Sequence, residues 1–123
     1  MRYYSAEHEW VQIEGDDAFV GVSRYLVDSL GDISYVELPK EGTDVIVGDD
    51  IGVIESIKES ADIYSPISGT IIAVNRNMDD DPSLLNEHCD GRKGWLCRLE
   101  NIDLAELDDL MDEDAYKKYL KSL

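Results

Sequence analysis

The chain has 123 residues, a length that fits one folded domain with its own hydrophobic core. Its 28 acidic and 11 basic residues give a formal net charge of −17, so its surface field repels nucleic acid and anionic membranes. These two classes of partner are therefore excluded from our expectations.

The N-terminus lacks the apolar stretch of a signal peptide, and no segment approaches the about 18 consecutive apolar residues of a membrane span. We therefore expect a cytoplasmic protein. Cys89 and Cys97 are too few for a disulfide-framed fold and are not spaced as a C-x-x-C pair, which predicts two thiols.

The first third of the chain predicts a β-hairpin, a short helix and a further strand. Apolar residues cluster over residues 10–13 and 18–22, with a turn-type composition between them. Ser23 is placed to cap a helix that Gly31 ends, and residues 33–38 have the alternation of a strand.

The middle of the chain predicts short strands followed by a long connection. Residues 45–47, 51–54 and 70–74 are apolar runs separated by turn-forming residues. The polar, Asp-rich segment 76–94 predicts a surface connection with at most one helical turn, and residues 95–99 predict a return to strand.

The last twenty residues have a helical pattern. Asp103 and Glu106 form a capping-box sequence, and residues 112–114 are placed to start a second short helix that runs to Tyr119. The apolar residues that recur at helical spacing are Leu104, Leu107, Leu110 and Met111.

Many short strands with turns between them predict a mainly β protein, a flattened antiparallel β-sandwich or barrel with short peripheral helices. We expect one domain over residues 1–123, with a β core from about residue 8 to about 100 and a C-terminal helical region from about 103 to about 122.

Lys58 is the one position whose surroundings indicate chemistry. It lies in a polar stretch between two apolar runs, so its ammonium group should project from the tip of a turn. By composition alone, a solvated loop lysine is the more common explanation.

The segment around this lysine resembles a known modification site. Glu55-Ser56-Ile57-Lys58, with Ser65-Pro66-Ile67-Ser68-Gly69 downstream, resembles the lipoylation segment of glycine cleavage H proteins, whose core is Glu-Ser-Val-Lys. The resemblance extends in order to His8-Glu9-Trp10-Val11, Leu30-Gly31-Asp32-Ile33, Tyr35-Val36-Glu37-Leu38-Pro39, Val74-Asn75, Asn86 and Gly94-Trp95-Leu96. A biotin carrier would have Met-Lys-Met, and both methionines are absent here.

The resemblance implies a lipoyl-domain-like fold of the hybrid-motif type and a carrier without catalysis of its own. Lipoate would be attached covalently to Lys58, with Glu55, Ser56 and Ile57 forming the recognition turn. The arm would shuttle an aminomethyl group and reducing equivalents among a pyridoxal-phosphate glycine decarboxylase, a tetrahydrofolate-dependent aminomethyltransferase and dihydrolipoyl dehydrogenase. A lipoate-attaching enzyme would load the carrier, which we expect to be a monomer.

In the family, the loaded arm folds back into a surface cleft where acidic side chains meet the amine. The matching positions are Glu9 and Asp62, although Glu9 could instead be an exposed strand residue and Asp62 a turn former. His8 is expected to be structural, because no nucleophile is identifiable near it.

Two departures from the family pattern concern recognition. Glu59 replaces the small residue usual after the lysine, which could alter recognition by the lipoylating enzyme. Residues 86–95 differ most from the family and introduce His88 beside Cys89. Two adjacent ligands fall short of a zinc site, so a solvated loop is expected there. Cys97 could be a packed small hydrophobic residue or could approach Cys89.

These departures keep other functions open. The chain could be the lipoyl carrier of a sulfur-oxidising heterodisulfide-reductase-like complex, or serve in lipoate relay or redox signalling. An unmodified acidic docking domain is the alternative of a different class. An enzyme is disfavoured, since the chain has only two histidines and no recognisable metal or phosphate motif.

Overall fold

Two antiparallel sheets form the body of the protein in a computed structural model that describes residues 2–123. The strands are β1 (Arg2–Tyr4), β2 (Glu9–Glu14), β3 (Asp17–Val22), β4 (Ile33–Glu37), β5 (Asp44–Val45), β6 (Asp50–Ser56), β7 (Ser60–Tyr64), β8 (Gly69–Val74) and β9 (Cys97–Glu100). The larger sheet has the order β1-β2-β3-β9-β8-β5, and the smaller sheet has the order β4-β6-β7. The predicted mainly β antiparallel architecture is confirmed.

Short helices lie around the two sheets. They are α1 (Arg24–Leu30), α2 (Asn77–Asp80), α3 (Leu84–His88) and α4 (Glu113–Lys121), with 3-10 helices at Arg92–Gly94 and Leu104–Asp109. No helix of residues 2–123 has the length and apolar character that crossing a membrane requires.

Local sequence explains the first elements. The β2–β3 hairpin turns at Gly15, whose φ of 62° is a left-handed conformation that glycine adopts without strain. Ser23 begins α1 by accepting a hydrogen bond from the Leu26 amide, and Gly31 follows the helix with a φ of 89°. The predicted hairpin and capped helix are confirmed.

The core lies between the sheets and is built from β-branched and aliphatic side chains that alternate inward along the strands. Side chains without exposed surface come from both sheets and from the helical segments; they include Val11, Val20, Ile54, Ile67, Ile71, Met78, Leu85 and Leu99. Burial of both inner faces holds the small sheet, which contains β6 and β7, against the large one.

The prediction that residues 76–94 are a surface connection is wrong. This segment folds into α2, α3 and a 3-10 helix, and it buries Met78, Leu85 and Cys89 completely. Trp10 donates a hydrogen bond from Nε1 to the Cys89 carbonyl oxygen over 2.9 Å. Three apolar side chains, spaced too far apart to show a periodic pattern, are enough to anchor this segment.

The C-terminal helical region starts where predicted, but the predicted capping box does not form. Residues 104–109 form a 3-10 helix, in which Asp103 accepts a hydrogen bond from the Ala105 amide. The Glu106 carboxylate accepts hydrogen bonds from the Ser68 amide and hydroxyl, each over 2.7 Å, and so contacts the sandwich instead of completing a capping box. The second helix is confirmed as α4, which begins after the capping residue Asp112.

The strand prediction for residues 45–47 is only partly confirmed. Strand β5 ends at Val45, and Ile46 and Val47 are exposed in a tight loop. The Asp49 amide donates to the Ile46 carbonyl, and the Asp49 carboxylate accepts from the Ile46 amide, each over 2.9 Å. This local turn ends the strand before the apolar run does.

Strands β6 and β4 approach each other closely at Gly52, and a substitution there tests this contact. A Cβ at this position would lie 2.2 Å from the Glu37 carbonyl oxygen, whereas a Cβ at Gly91 would meet nothing nearer than 3.6 Å. We expect Gly52→Ala to lower the free energy of unfolding by about 3 kcal/mol, because backbone atoms of β4 would have to move. Gly91→Ala should cost less than about 1 kcal/mol. Urea unfolding measures both, and equal effects would contradict the role given to Gly52.

Candidate functional site

Lys58 lies at the tip of the β6–β7 hairpin. Residues 57–59 connect the two strands, Lys58 is exposed, and the Ile57 side chain is 86% exposed. Strand β6 pairs with β4 on one side and with β7 on the other, so the base of the hairpin is the central strand of a sheet. The amine therefore projects from a rigid support into solvent.

Ser56 shapes this turn. Its hydroxyl oxygen accepts hydrogen bonds from the Lys58 amide over 3.3 Å and the Glu59 amide over 3.1 Å. Its own amide donates to the Glu59 carbonyl oxygen over 2.8 Å. Ser56 thus holds the turn through its hydroxyl and its own amide, a common use of serine, and the Lys58 amine makes no hydrogen bond or ion pair with residues 2–123.

An open groove lies beside the hairpin tip. Its volume is about 370 Å³, and it is bordered by residues 28–32 at the end of α1 and by residues 56–58. Asp28 and Asp32 give the groove an acidic rim. A flexible chain attached at Lys58 would begin at the edge of this groove.

Glu9 is buried where the two sheets meet, at 1% exposure. Its Oε1 accepts a hydrogen bond from the Ser5 hydroxyl over 2.6 Å, and its Oε2 accepts one from the Tyr64 amide over 3.2 Å. Ser5 precedes β2 of the large sheet, whereas Tyr64 ends β7 of the small sheet. The alternative that Glu9 is an exposed strand residue is therefore wrong.

Burial raises the pKa of Glu9 to about 7, and the hydrogen bonds from Ser5 and Tyr64 oppose only part of this effect. The carboxyl group is then divided between its two protonation states near neutral pH. In the ionised state it would attract a cation strongly, because little water competes with such a partner in a buried place.

Asp62 is exposed in the middle of β7, where it pairs with Val53 of β6. It is a strand residue, so the alternative of a turn former is wrong. The Tyr64 hydroxyl lies 3.5 Å from its Oδ2. Glu9 and Asp62 thus both contact Tyr64, one at the backbone amide and the other at the phenol.

Sequence reasoning did not assign Ser5 and Tyr64 to this site. Tyr64 could have been found from strand alternation, because it lies two residues after Asp62 and shares its face of β7. Ser5 had no such signal, since its contact with Glu9 depends on a turn over residues 5–9 that the sequence did not predict.

Comparison with known proteins decides the family. A family model described as glycine cleavage H-protein matches residues 2–123. The chain belongs to this family. A probable glycine cleavage system H protein of Haloarcula marismortui is 48% identical over 118 residues, which cover 96% of this chain and 92% of the relative. The glycine cleavage system H protein of Thermotoga maritima is 44% identical over 119 residues, or 97% of this chain and 95% of the relative.

A solved structure agrees with this assignment. The crystal structure of a glycine cleavage system H protein from Mycobacterium marinum matches with a TM-score of 0.87 and 32% identity, covering 98% of this chain and 96% of that one. The H-protein fold is therefore confirmed, as is the expected function as a lipoyl carrier component of the glycine cleavage system, without catalysis of its own.

Residues 86–95, where this H protein departs most from the family pattern, do not form the solvated loop expected for them. Cys89 is fully buried, so it does not lie in a solvated loop, and Cys97 is packed in the core; neither forms a disulfide. Burial raises the pKa of the Cys89 thiol to about 11 and that of Cys97 to about 12, which leaves both protonated and unreactive at neutral pH. Among residues 2–123, no group of three or more His, Cys, Asp or Glu side chains is arranged to hold a metal ion.

His8 has the structural contacts expected of it. Its Nδ1 lies 2.7 Å from the Tyr116 hydroxyl, and burial lowers its pKa. Its ring also lies against Tyr25, with 4.5 Å between the ring centroids. The histidine connects the start of β2 with the C-terminal helix.

The raised pKa of Glu9 makes stability depend on pH. Because the folded protein binds this proton more tightly than the unfolded chain, the contribution of Glu9 is complete below about pH 4.5 and is lost as the pH rises through about 7. Glu9→Gln, which mimics the protonated form, should remove this loss. The difference in free energy of unfolding between variant and parent should grow by about 3 kcal/mol from pH 4.5 to pH 8.

Denaturant unfolding across this pH range measures that difference. Glu59→Gln is the matched control, because Glu59 is an exposed acid that is not among the groups shifting the pKa of Glu9, so this change should not remove the loss. Parallel curves for the parent and Glu9→Gln would show that Glu9 is ionised in the folded protein at ordinary acidic pH.

Proposed function

We propose that Lys58 carries lipoate in amide linkage and that this arm moves an aminomethyl group and reducing equivalents among the enzymes of the glycine cleavage system. The observation that carries the proposal is the exposed amine of Lys58 at the tip of a paired hairpin. Bound lipoate supplies a dithiolane whose two sulfurs accept electrons and a transferable group, chemistry that protein side chains do not provide.

The turn residues support recognition by the lipoate-attaching enzyme. Ser56 holds the turn by its own hydrogen bonds, and Ile57 exposes an apolar side chain next to the amine. Glu55 is half-buried and pairs with Ser60 across the hairpin, whereas Ile57 and Lys58 lie at its tip. An enzyme that acylates Lys58 can reach the tip without unfolding the carrier.

The carrier itself would protect the aminomethyl group on the loaded arm. Glu9 and Asp62 meet at Tyr64, and the groove beside Lys58 lies along α1. We propose that the two carboxylates receive the amine of the loaded arm, since an ammonium group gains from charge-assisted hydrogen bonds to carboxylates. Burial of Glu9 makes this interaction stronger than one at the surface.

The proposed partners are a pyridoxal-phosphate glycine decarboxylase, a tetrahydrofolate-dependent aminomethyltransferase and dihydrolipoyl dehydrogenase. The relatives described above carry the glycine cleavage name, which favours these enzymes. Residues 86–95, whose departure from the family pattern kept another lipoyl system open, present no thiol to a partner at Cys89, because Cys89 is buried. A monomer in the cytoplasm stays a prediction.

Modification of Lys58 is tested by a matched pair of lysines. Lys58→Arg keeps the positive charge but removes the acylatable amine, whereas Lys40→Arg makes the same change at another exposed lysine. After incubation with a lipoate-attaching enzyme, intact mass should show the lipoyl increment in the parent and in Lys40→Arg only. Glycine decarboxylation should fall at least about 100-fold in Lys58→Arg, since no other group carries the arm. An increment on Lys58→Arg would overturn the assignment.

The role of Asp62 is tested on the lipoylated, loaded protein. Asp62→Asn should shorten the lifetime of the bound aminomethyl group roughly tenfold, the size of one charge-assisted hydrogen bond that is partly exposed. Glu59→Gln changes a neighbouring exposed acid and should alter the lifetime less than about twofold. Ammonia or formaldehyde release over time measures the lifetime. Equal lifetimes in all three proteins would remove Asp62 from the cleft.

A further inference from the structure

The hydroxyl of Tyr116 joins three separate parts of the chain. It lies 2.7 Å from His8 Nδ1 and 2.7 Å from the Ser23 Oγ, and the side chain is 5% exposed. Tyr116 lies on α4, His8 precedes β2, and Ser23 caps α1. A buried phenol with two short polar contacts is strongly tied to its place.

The segment that His8 belongs to is the turn that holds Glu9. In this turn, residues 5–9, the Ser5 amide donates to the Glu9 carbonyl over 2.9 Å and the His8 amide donates to the Ser5 carbonyl over 3.1 Å. His8 has a φ of 70°, a left-handed conformation that a side chain other than glycine rarely adopts. Such a conformation persists only when surrounding contacts hold it.

Helix α4 supplies those contacts on one side of the turn. Besides the bond between Tyr116 and His8, the Tyr119 hydroxyl donates to the Ala6 carbonyl over 3.3 Å. The ring of Tyr116 stacks on Tyr4, with 4.2 Å between centroids and 2° between planes. The helix thus reaches the turn through Tyr116 and Tyr119 and reaches β1 through the Tyr116 ring, and the Tyr116 hydroxyl is the group of the helix that hydrogen-bonds to His8, the residue before Glu9.

On the far side of the turn, Glu9 reaches β7, the second strand of the lysine hairpin. Ser5 Oγ contacts Oε1, and the Tyr64 amide of β7 contacts Oε2. A shift of the turn would therefore displace the carboxyl group relative to β7. The route from α4 to β7 is continuous: a hydrogen bond joins Tyr116 to His8, the backbone joins His8 to Glu9, and a second hydrogen bond joins Glu9 to Tyr64.

We infer that Tyr116 is a positioning residue, which acts through His8 and the turn over residues 5–9 to hold the Glu9 carboxyl group against β7 and so prolongs the retention of the loaded arm. The second half of this inference rests on the proposed cleft role of Glu9. The first half concerns only the geometry of the unmodified protein. The two halves have separate measurements.

The first measurement is the titration of Glu9 in the unmodified protein, followed by NMR of a carboxyl-labelled sample. Tyr116→Phe keeps the stacked ring and loses only the hydroxyl. If Tyr116 positions Glu9, the variant admits water to the turn, and the midpoint of the Glu9 titration should fall by about half a unit or more. Tyr119→Phe is the matched control: it removes the longer, exposed bond to the Ala6 carbonyl, which involves neither His8 nor Glu9, so its shift should be much the smaller of the two. An unchanged titration in Tyr116→Phe overturns the inference.

The second measurement is the lifetime of the bound aminomethyl group in the lipoylated, loaded protein. Tyr116→Phe should shorten it about threefold to tenfold, and Tyr119→Phe should change it less than about twofold. If the effect passes through Glu9, the double variant Tyr116→Phe with Glu9→Gln should release the group no faster than Glu9→Gln alone. Additive losses overturn a route through Glu9.

Thermal unfolding of each variant at the assay pH shows whether it is folded. Should Tyr116→Phe prove too unstable, His8→Asn serves as the second variant, because asparagine tolerates the left-handed backbone and removes the ring that meets Tyr116. The same fall in the Glu9 midpoint is expected there. If Glu9→Gln by itself leaves the lifetime unchanged, the cleft role fails, while the Glu9 titration still decides whether Tyr116 positions this residue.

Discussion

The hydrogen bond between the Glu9 carboxyl group and the Tyr64 amide is a bridge between the large sheet and the small sheet. Apolar burial holds the sheets together but has no direction, so it would tolerate small slides of one sheet over the other. A hydrogen bond from a buried carboxyl group to a backbone amide at the end of β7 has a defined length and direction. This bridge relates the hairpin that bears Lys58 to the segment that precedes β2.

Burial of the Glu9 carboxyl group lowers the free energy of unfolding at higher pH, so the stability of the fold does not explain why a carboxyl group is there. A buried carboxyl group with a pKa of about 7 weakens the protein as the pH rises, and an apolar residue would avoid this effect. Groups of this kind are common where a protein must bind charge, because a site poised between two protonation states responds to an arriving cation. In an H protein, the arriving cation would be the amine of the transported group.

The acidic side chains around Lys58 make the charge at the hairpin tip sensitive to acylation of this lysine. Lys58 is surrounded at the hairpin tip by Glu55 and Glu59, with Asp28 and Asp32 across the groove. Acylation removes the lysine charge, so a lipoylated tip would be more acidic than the unmodified one. An attaching enzyme would meet the tip with its lysine charged, whereas later partners would meet it without that charge, so the two kinds of partner would have different electrostatic surfaces to recognise.

Several parts of the fold and site could be predicted from local sequence. The β2–β3 hairpin, the capped start of α1 and the exposed turn at Lys58 follow from turn residues, a capping serine and apolar runs of strand length. The prediction for the segment around α2 and α3 was wrong, because its fully buried apolar residues, Met78, Leu85 and Cys89, are few and most of the residues between them are polar. Strand β1 was missed, since its three half-buried residues are defined by pairing with β2 rather than by a pattern of their own.

By itself, the sequence determined the family, the mainly β architecture and the lysine on which a carrier would depend, because motifs and turn chemistry are local in the chain. Only the tertiary structure decided that Glu9 is buried, that Tyr64 joins it to Asp62, and that Tyr116 reaches His8 across more than a hundred residues. The physical reason is that burial and hydrogen-bond partners depend on which elements pack together, and residues distant in the sequence supply those contacts.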